Sequence, residues 1–297
     1  MERKAGMAER DRQIKIIDRE KNIRLFLART TNLVEEARQR HDTSATATAA
    51  LGRVMTAAVM MASDLKGQED SLTIRVAGGG PAGTIIATAD TWGGVRGFIT
   101  NPAADLPEAA PGKLAVGQLV GTHGFLEVVK DLGLKQPFSG RIELVSGEIA
   151  EDMAQYFLAS EQIPSLVSLG VLVAPDLSVQ AAGGLIVQVM PGARDEILKV
   201  IEDNILGAGA ISSLMDSYAS LEEIAPQIMA GVDYEIIAED DLKFHCKCNR
   251  DKLLGVLRGL SPEERQDIQQ DEEIEVLCNF CRQRYLYMPD ELEDQKN

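Results

Sequence analysis

The sequence predicts an α+β fold in three parts, and three observations carry that prediction. Up to Pro191, apolar residues alternate with period two in clusters, and helical stretches stand apart from them instead of interleaving one for one. After Pro191-Gly192 the spacing becomes that of amphipathic helices. All four cysteines fall between positions 246 and 281. The parts are an N-terminal mixed α/β domain with a large sheet (1–192), a helical linker (193–241) and a small C-terminal domain (242–297).

The elements follow in order. Residues 1–12 are polar and read as a frayed tail. Ile14, Ile16 and Ile17, then Ile23, Leu25 and Phe26, mark two short strands around the turn Asp18-Arg19-Glu20-Lys21. A helix follows from Thr31, and a second, alanine-rich helix runs from Thr46 to Asp64. In that helix Leu51, Met55, Ala58, Val59 and Ala62 recur at helical spacing, and the methionines Met55, Met60 and Met61 fit ordinary core packing better than an adaptable binding surface. Residues 71–100 form a strand meander punctuated by glycine turns. Further strands are expected at 124–130, 141–146, 168–174 and 183–190, with a helix over 147–160. Past Pro191-Gly192, one helix is expected over 194–206, closed by Gly207 and Gly209. Another should start at Ser220, where Glu223 completes a capping-box pattern and Pro226 shortens or bends the helix.

Composition narrows the function classes. Hydrophobic residues make up 45% and charged residues 26% of 297, enough apolar material for a packed core. No apolar run approaches the roughly 18 residues of a membrane span, and the charged N-terminus lacks a secretory signal, so the expectation is a cytoplasmic protein with no membrane partner. The net charge is −16, and residues 232–297 hold half of it, with 17 acidic and 9 basic residues. Such a balance repels phosphate backbones and argues against nucleic acid.

Two motifs bear on chemistry. Gly78, Gly80 and Gly83 match G-x-G-x-x-G, but Pro81 and Thr84-Ile85-Ile86 lead into a strand where a phosphate loop needs a helix, so a hairpin turn is expected. No phosphate-loop lysine motif is present, and no nucleotide is expected. The stronger signal is Cys246-Lys247-Cys248 followed, after 29 residues, by Cys278-Asn279-Phe280-Cys281. Clustered cysteines in a chain without a signal peptide read as metal or redox chemistry. Four thiolates suit one zinc ion in a closed, structural site. Between the pairs, Asn249 should cap a helix ended by Gly259, and Ser261-Pro262-Glu263-Glu264 should start another. The second pair should sit on a hairpin between Ile274-Glu275-Val276 and Tyr285-Leu286-Tyr287. With four thiolates present His245 reads as a neighbour and not as a substitute ligand, and a thioredoxin-like role for Cys278 and Cys281 lacks the strand-to-helix setting it needs. Oxidising zinc-held thiolates would remove the ligands and melt a segment with little core of its own.

The cysteine pattern, together with Arg29-Thr30-Thr31, Glu35-Glu36-Ala37-Arg38, His41-Asp42-Thr43, Gly78-Gly79-Gly80-Pro81, Thr100-Asn101-Pro102, Pro137-Phe138-Ser139-Gly140, Val145-Ser146-Gly147-Glu148, Ser160-Glu161-Gln162 and Met190-Pro191-Gly192, resembles the bacterial redox-regulated 33-kilodalton heat-shock chaperone family from Ile14 onward. The resemblance implies an ATP-independent holdase for unfolding proteins, not an enzyme. It implies one zinc per chain and no activity when reduced. Activation would come through disulfides Cys246–Cys248 and Cys278–Cys281, zinc release and unfolding of a metastable linker, with a homodimer as the active form. Departures are a longer N-terminus, Asn249 in place of the usual serine, and His245, none of which touches the four cysteines. Client contacts are spread over surfaces. The linker apolars Ile197, Ile201, Ile205, Ile224 and Ile228 are the candidates here.

Two rivals stand beside this reading. One is a constitutive zinc-ribbon adaptor without a switch. The other is an enzyme, for which no nucleophile, base and orienter are legible; His41, His123 and His245 have no metal spacing and read as structural. The run Asp271-Glu272-Glu273 and the acidic tail read as a solvated face, the alternative being an aid to solubility in the oxidised state.

Overall fold

The computed structural model describes residues 10–268, 270 and 272–292. Most of the expected N-terminal tail, Asp271 of the acidic run and the C-terminal tail lie outside the described residues. Contacts divide the chain into two compact units, one ending at Phe244 and the other beginning at His245.

The first unit holds two sheets. Strands β1 (Arg12–Asp18) and β2 (Ile23–Arg29) form the expected hairpin, and helices α1 (Thr31–His41) and α2 (Ala45–Ala62) follow. The meander is β3 (Ser71–Ala77), β4 (Thr84–Asp90) and β5 (Gly94–Ile99). A short helix, α3 (Val116–Val120), precedes β6 (Phe125–Asp131) and β7 (Phe138–Glu143). Helix α4 (Ala150–Tyr156) runs into a π-helical turn, Phe157–Glu161, and then come β8 (Ser165–Val173) and β9 (Val179–Val189). The linker folds as α5 (Asp195–Ala208), α6 (Ile211–Ser217) and α7 (Leu221–Ile228), followed by β10 (Tyr234–Asp241) and β11 (Lys243–Phe244). The five-stranded sheet has the order β10-β1-β2-β9-β8 and the six-stranded sheet β11-β5-β4-β3-β6-β7. Every pairing is antiparallel except β11 with β5.

Helix α2 lies between the two sheets. It is long and apolar enough to cross a membrane by composition, but 89% of that window is buried inside the protein, which makes it the central core helix. Met55, Met60 and Met61 are buried there, as the packing reading expected. Ser44 caps it, its hydroxyl accepting from the Ala47 N–H. Helix α1 receives its cap from a distance. The Thr30 side chain makes no capping bond, and buried Asp11 accepts from the N–H groups of Asn32 (3.0 Å) and Leu33 (2.6 Å).

The glycine-rich motif is a turn between two strands, so it holds no phosphate loop. A side chain at Gly78 would lie 2.3 Å from the Gly121 carbonyl, and one at Gly80 2.4 Å from that of Leu119. These glycines let two backbone turns touch.

The largest departure from the sequence reading lies in the linker. Residues up to about 240 read as helical, yet Tyr234–Asp241 is an edge strand paired antiparallel to β1. Tyr234, Ile236 and Ala238 alternate with Glu235, Ile237 and Glu239, and open hydrogen-bonding positions on β1 decide for the strand. Nor do the helices lack a core. Ile201, Ile211, Leu214, Met215, Leu221, Ile224, Ala225 and Ile228 pack on Ile14, Ile16, Leu25, Leu27, Leu185 and Val187, one apolar face of the five-stranded sheet. The Ser220 capping box is only half made. The Ser220 side chain makes no capping bond to the helix backbone, and Glu223 accepts from the N–H of Ala219.

Polar bonds also fasten these helices. The Arg12 guanidinium donates two bonds to Glu222 on α7 (2.8 and 2.5 Å) and one to Glu239 on β10 (2.8 Å). The hydrogen bond from Arg12 is the largest influence on Glu222 and holds its carboxyl below the ordinary 4.5. A carboxyl depressed in the folded state contributes stability above 4.5, and that contribution is lost as pH falls through its lowered value. We therefore expect the gap in urea midpoint between the wild type and Arg12→Gln to be constant from pH 7 to pH 5 and to close below about pH 4.5. Midpoints that run parallel down to pH 3 would show that the pair carries no stability.

Candidate metal centre

The second unit is built around a hairpin and a small core. Asn249 caps α8 (Arg250–Arg258), its side-chain oxygen accepting from the Lys252 N–H at 2.8 Å. Ser261 and Glu264 make the reciprocal capping box of α9 (Pro262–Ile268). Strands β12 (Ile274–Leu277) and β13 (Arg284–Tyr287) pair in the register Ile274–Tyr287 and Val276–Tyr285. Leu257, Ile274, Tyr287 and Leu292 are the buried core. Arg250 and Arg258 bind Glu291 and tie α8 to the 3-10 turn Pro289–Leu292. The hydrogen bond from Arg250 is the main reason the Glu291 carboxyl is held down to about 2.

The hairpin aims the second cysteine pair. The Cys278 N–H donates to the Gln283 carbonyl, and the Arg282 N–H returns a bond to the Cys278 carbonyl, closing a tight knuckle around Cys278 and Cys281. Arg282 takes a left-handed conformation (φ 58°) to complete it. The first pair comes from the irregular segment between β11 and the Asn249 cap. All four sulfurs lie within 4.8 Å of one another, with Cys246 Sγ 3.8 Å from Cys278 Sγ and Cys248 Sγ 3.3 Å from Cys281 Sγ. None is in a disulfide. Cys278 and Cys281 are buried, and Cys246 and Cys248 half-buried. His245 is exposed and is not part of the group.

This donor set fits a tetrahedral thiophilic ion. Zinc–sulfur bonds of about 2.3 Å put the corners of a tetrahedron about 3.8 Å apart, the scale seen here. Without a cation the four thiols cannot all ionise. Burial, then neighbouring thiols, pushes Cys246 up to about 11, and burial likewise pushes Cys281 up. Burial also opposes ionisation of Cys248, but hydrogen bonds from Tyr285 and from the other thiols outweigh it and bring Cys248 down to about 7. An acidic Cys248 beside the reluctant Cys246 and Cys281 is a site that a divalent cation would complete.

The sequence reading placed all four cysteines together but gave Tyr285 no role beyond its strand. Its hydroxyl stands 3.3 Å from Cys248 Sγ. The signal was available in the alternation of Tyr285 with Tyr287, two aromatics on one face of β13. The five linker isoleucines are in the first unit. Ile201, Ile224 and Ile228 are fully buried on the sheet, and Ile197 and Ile205 pack at its margin.

The family model for the "Hsp33 protein" matches residues 11–288. The chain belongs to the Hsp33 family. A 33 kDa chaperonin of Desulforamulus reducens is 48% identical over 93% of both chains. One of Bacillus subtilis is 43% identical over 95% of this chain and 97% of its own. The crystal structure of the 33 kDa chaperonin from Thermotoga maritima superposes with a TM-score of 0.87 at 35% identity, covering 96% of this chain and 97% of that one. A chaperone class and a mixed helix–sheet fold with a small cysteine-bearing C-terminal domain thus follow for this Hsp33-family chain.

Proposed function

We propose that the chain is a redox-regulated, ATP-independent holdase of the cytoplasm that captures unfolding proteins under oxidative stress. The convergence of four thiols within 4.8 Å carries this reading. In the reduced protein Cys246, Cys248, Cys278 and Cys281 hold one zinc ion, which keeps all four sulfurs as thiolates and cross-links a unit with four core residues. Hypochlorous acid takes two electrons from a pair of thiolates. The sulfurs join, chloride leaves, and the oxygen departs as water after taking up one proton. The pairs Cys246–Cys248 and Cys278–Cys281 become disulfides and give up the metal.

From Cys246 the chain runs back through β11 and β10 to α7. Loss of order in the second unit would remove the anchor at the end of a metastable linker, residues 193–241. Helices α5–α7 would then leave the sheet and expose Ile14, Ile16, Leu25 and Leu27, together with their own Ile197, Ile201, Ile205, Ile224 and Ile228, as apolar surface for clients. The active form is a homodimer. No nucleotide, nucleic acid or membrane takes part, and no residue is assigned a catalytic role.

The test is aggregation of a heat-unfolding protein, followed by light scattering without ATP, with zinc release read by a colorimetric chelator in the same samples. Suppression only after hypochlorous acid, in step with zinc release, is the expected result. Zinc release with unchanged scattering would instead support a constitutive zinc-ribbon adaptor.

A further inference from the structure

We infer that Tyr285 is a hydrogen-bond donor to the Cys248 thiolate and thereby restrains the reactivity of that sulfur in the reduced protein. The inference rests on the four-cysteine zinc reading above and adds a residue to it.

The geometry comes from the hairpin. Tyr285 and Tyr287 are two apart on β13, so their side chains leave the same face. Tyr287 is buried, and its hydroxyl donates to the Arg250 carbonyl at 2.8 Å. That bond sets the segment Cys248-Asn249-Arg250 alongside β13. Two residues back on each side, the Tyr285 hydroxyl meets Cys248 Sγ at 3.3 Å. It has no other hydrogen-bond partner among the described residues. Either atom could donate in a thiol, but a metal-held thiolate carries no proton, so the phenol must be the donor. Tyr285 is partly buried and packs against the small core formed by Leu257, Ile274, Tyr287 and Leu292. The hydroxyl is thus held in place by a ring that phenylalanine would reproduce.

A donor to a metal-bound thiolate withdraws charge from the sulfur and makes it a poorer nucleophile. Outer-sphere partners of this kind tune ligands throughout metal sites. Cys248 is one of the two half-buried sulfurs, so restraint there bears on a sulfur that a small electrophile can reach.

The probe is iodoacetamide on the zinc-loaded reduced protein. The thiolate lone pair displaces iodide and forms a carbon–sulfur bond, and peptide mass spectrometry reads each cysteine separately. In Tyr285→Phe we expect Cys248 to be alkylated about tenfold faster, in line with the loss of one charge-assisted hydrogen bond, while Cys278 and Cys281 keep their rates and zinc content stays at one per chain. Incorporating 3-fluorotyrosine at position 285 keeps the ring and strengthens the donor, and should slow Cys248.

An unchanged Cys248 rate in Tyr285→Phe, or an equal rise at all four cysteines, would overturn the proposal, the second by reducing Tyr285 to a packing residue. If metal analysis finds no zinc in the wild type, the underlying reading falls first, and the tyrosine's role with it.

Discussion

In Cys278→Ser, zinc affinity should fall by more than the 10–100-fold typical of outer-shell changes, and hydrogen-exchange protection across α8, β12 and β13 should collapse with it. The reason is the size of the core. Leu257, Ile274, Tyr287 and Leu292 are the buried apolar side chains of that cluster, and a segment this small seldom stands without a cross-link. Structural zinc contributes on the order of 10–16 kcal/mol in small domains. Losing even a third of that is about a thousandfold in the opening equilibrium. Hydrogen exchange on the whole chain separates the units. Amides of β2 and β9, in the first unit, serve as the internal reference and should keep their protection at early times. Treating the wild type with a strong chelator should reproduce the serine variant. Intact protection in β12 and β13 after the metal is stripped would mean that the fold of this unit does not depend on it, and the redox reading would lose its lever.

The second large effect is expected at Arg29. This β2 residue is almost completely buried, and its guanidinium donates to the carbonyls of Met215 (2.6 Å) and Tyr218 (2.8 Å). Those carbonyls close helix α6, which has only seven residues and no stability of its own outside its packing. Arg29→Met keeps the apolar stem and removes the donors. Two carbonyls left without partners cost about 2–4 kcal/mol, a factor of about 30–1000 in opening. In the zinc-loaded, reduced variant, exchange over 211–228 should accelerate by that factor while β3 and β4 stay protected. On the proposed function, the same variant should bind an apolar dye and suppress aggregation partly without oxidant. Exchange at wild-type rates over 211–228 would show that apolar packing alone holds the helices down.

Much of the site was legible in the chain itself. Metal-ligand chemistry needs few residue types, and C-x-C with C-x-x-C leaves few alternatives. The hairpin under the second pair and the caps at Asn249 and Ser261 were legible for a related reason: capping and turn formation act over three or four residues, a range the sequence displays directly. The same holds for β1 to β5, where alternation and glycine turns are local signals. The strand β10 was misread because its eight residues are rich in acid and carry a mixed pattern. Its state was set by an open strand edge more than 200 residues away in sequence, at β1. Helix α3 and strand β11 are too short for periodicity to register.

Residue types and local spacing were enough for the parts list: four cysteines in one small unit, an alanine-rich core helix, a meander and a run of amphipathic helices. The tertiary structure decided what each part faces. The linker isoleucines show one apolar stripe in sequence, but only the fold puts that stripe on Ile14, Ile16, Leu25 and Leu27. Asp11 and Arg12 read as tail residues until one is found capping α1 and the other clasping α7, Arg29 as one residue of a motif until it clasps α6, and Tyr285 as a strand aromatic until its hydroxyl meets Cys248. Periodicity along a chain records which side of an element is apolar or polar, and local motifs record bonds that span a few residues. A hydrogen bond between positions 12 and 222 depends on the packing of every element between them, and no local pattern encodes it.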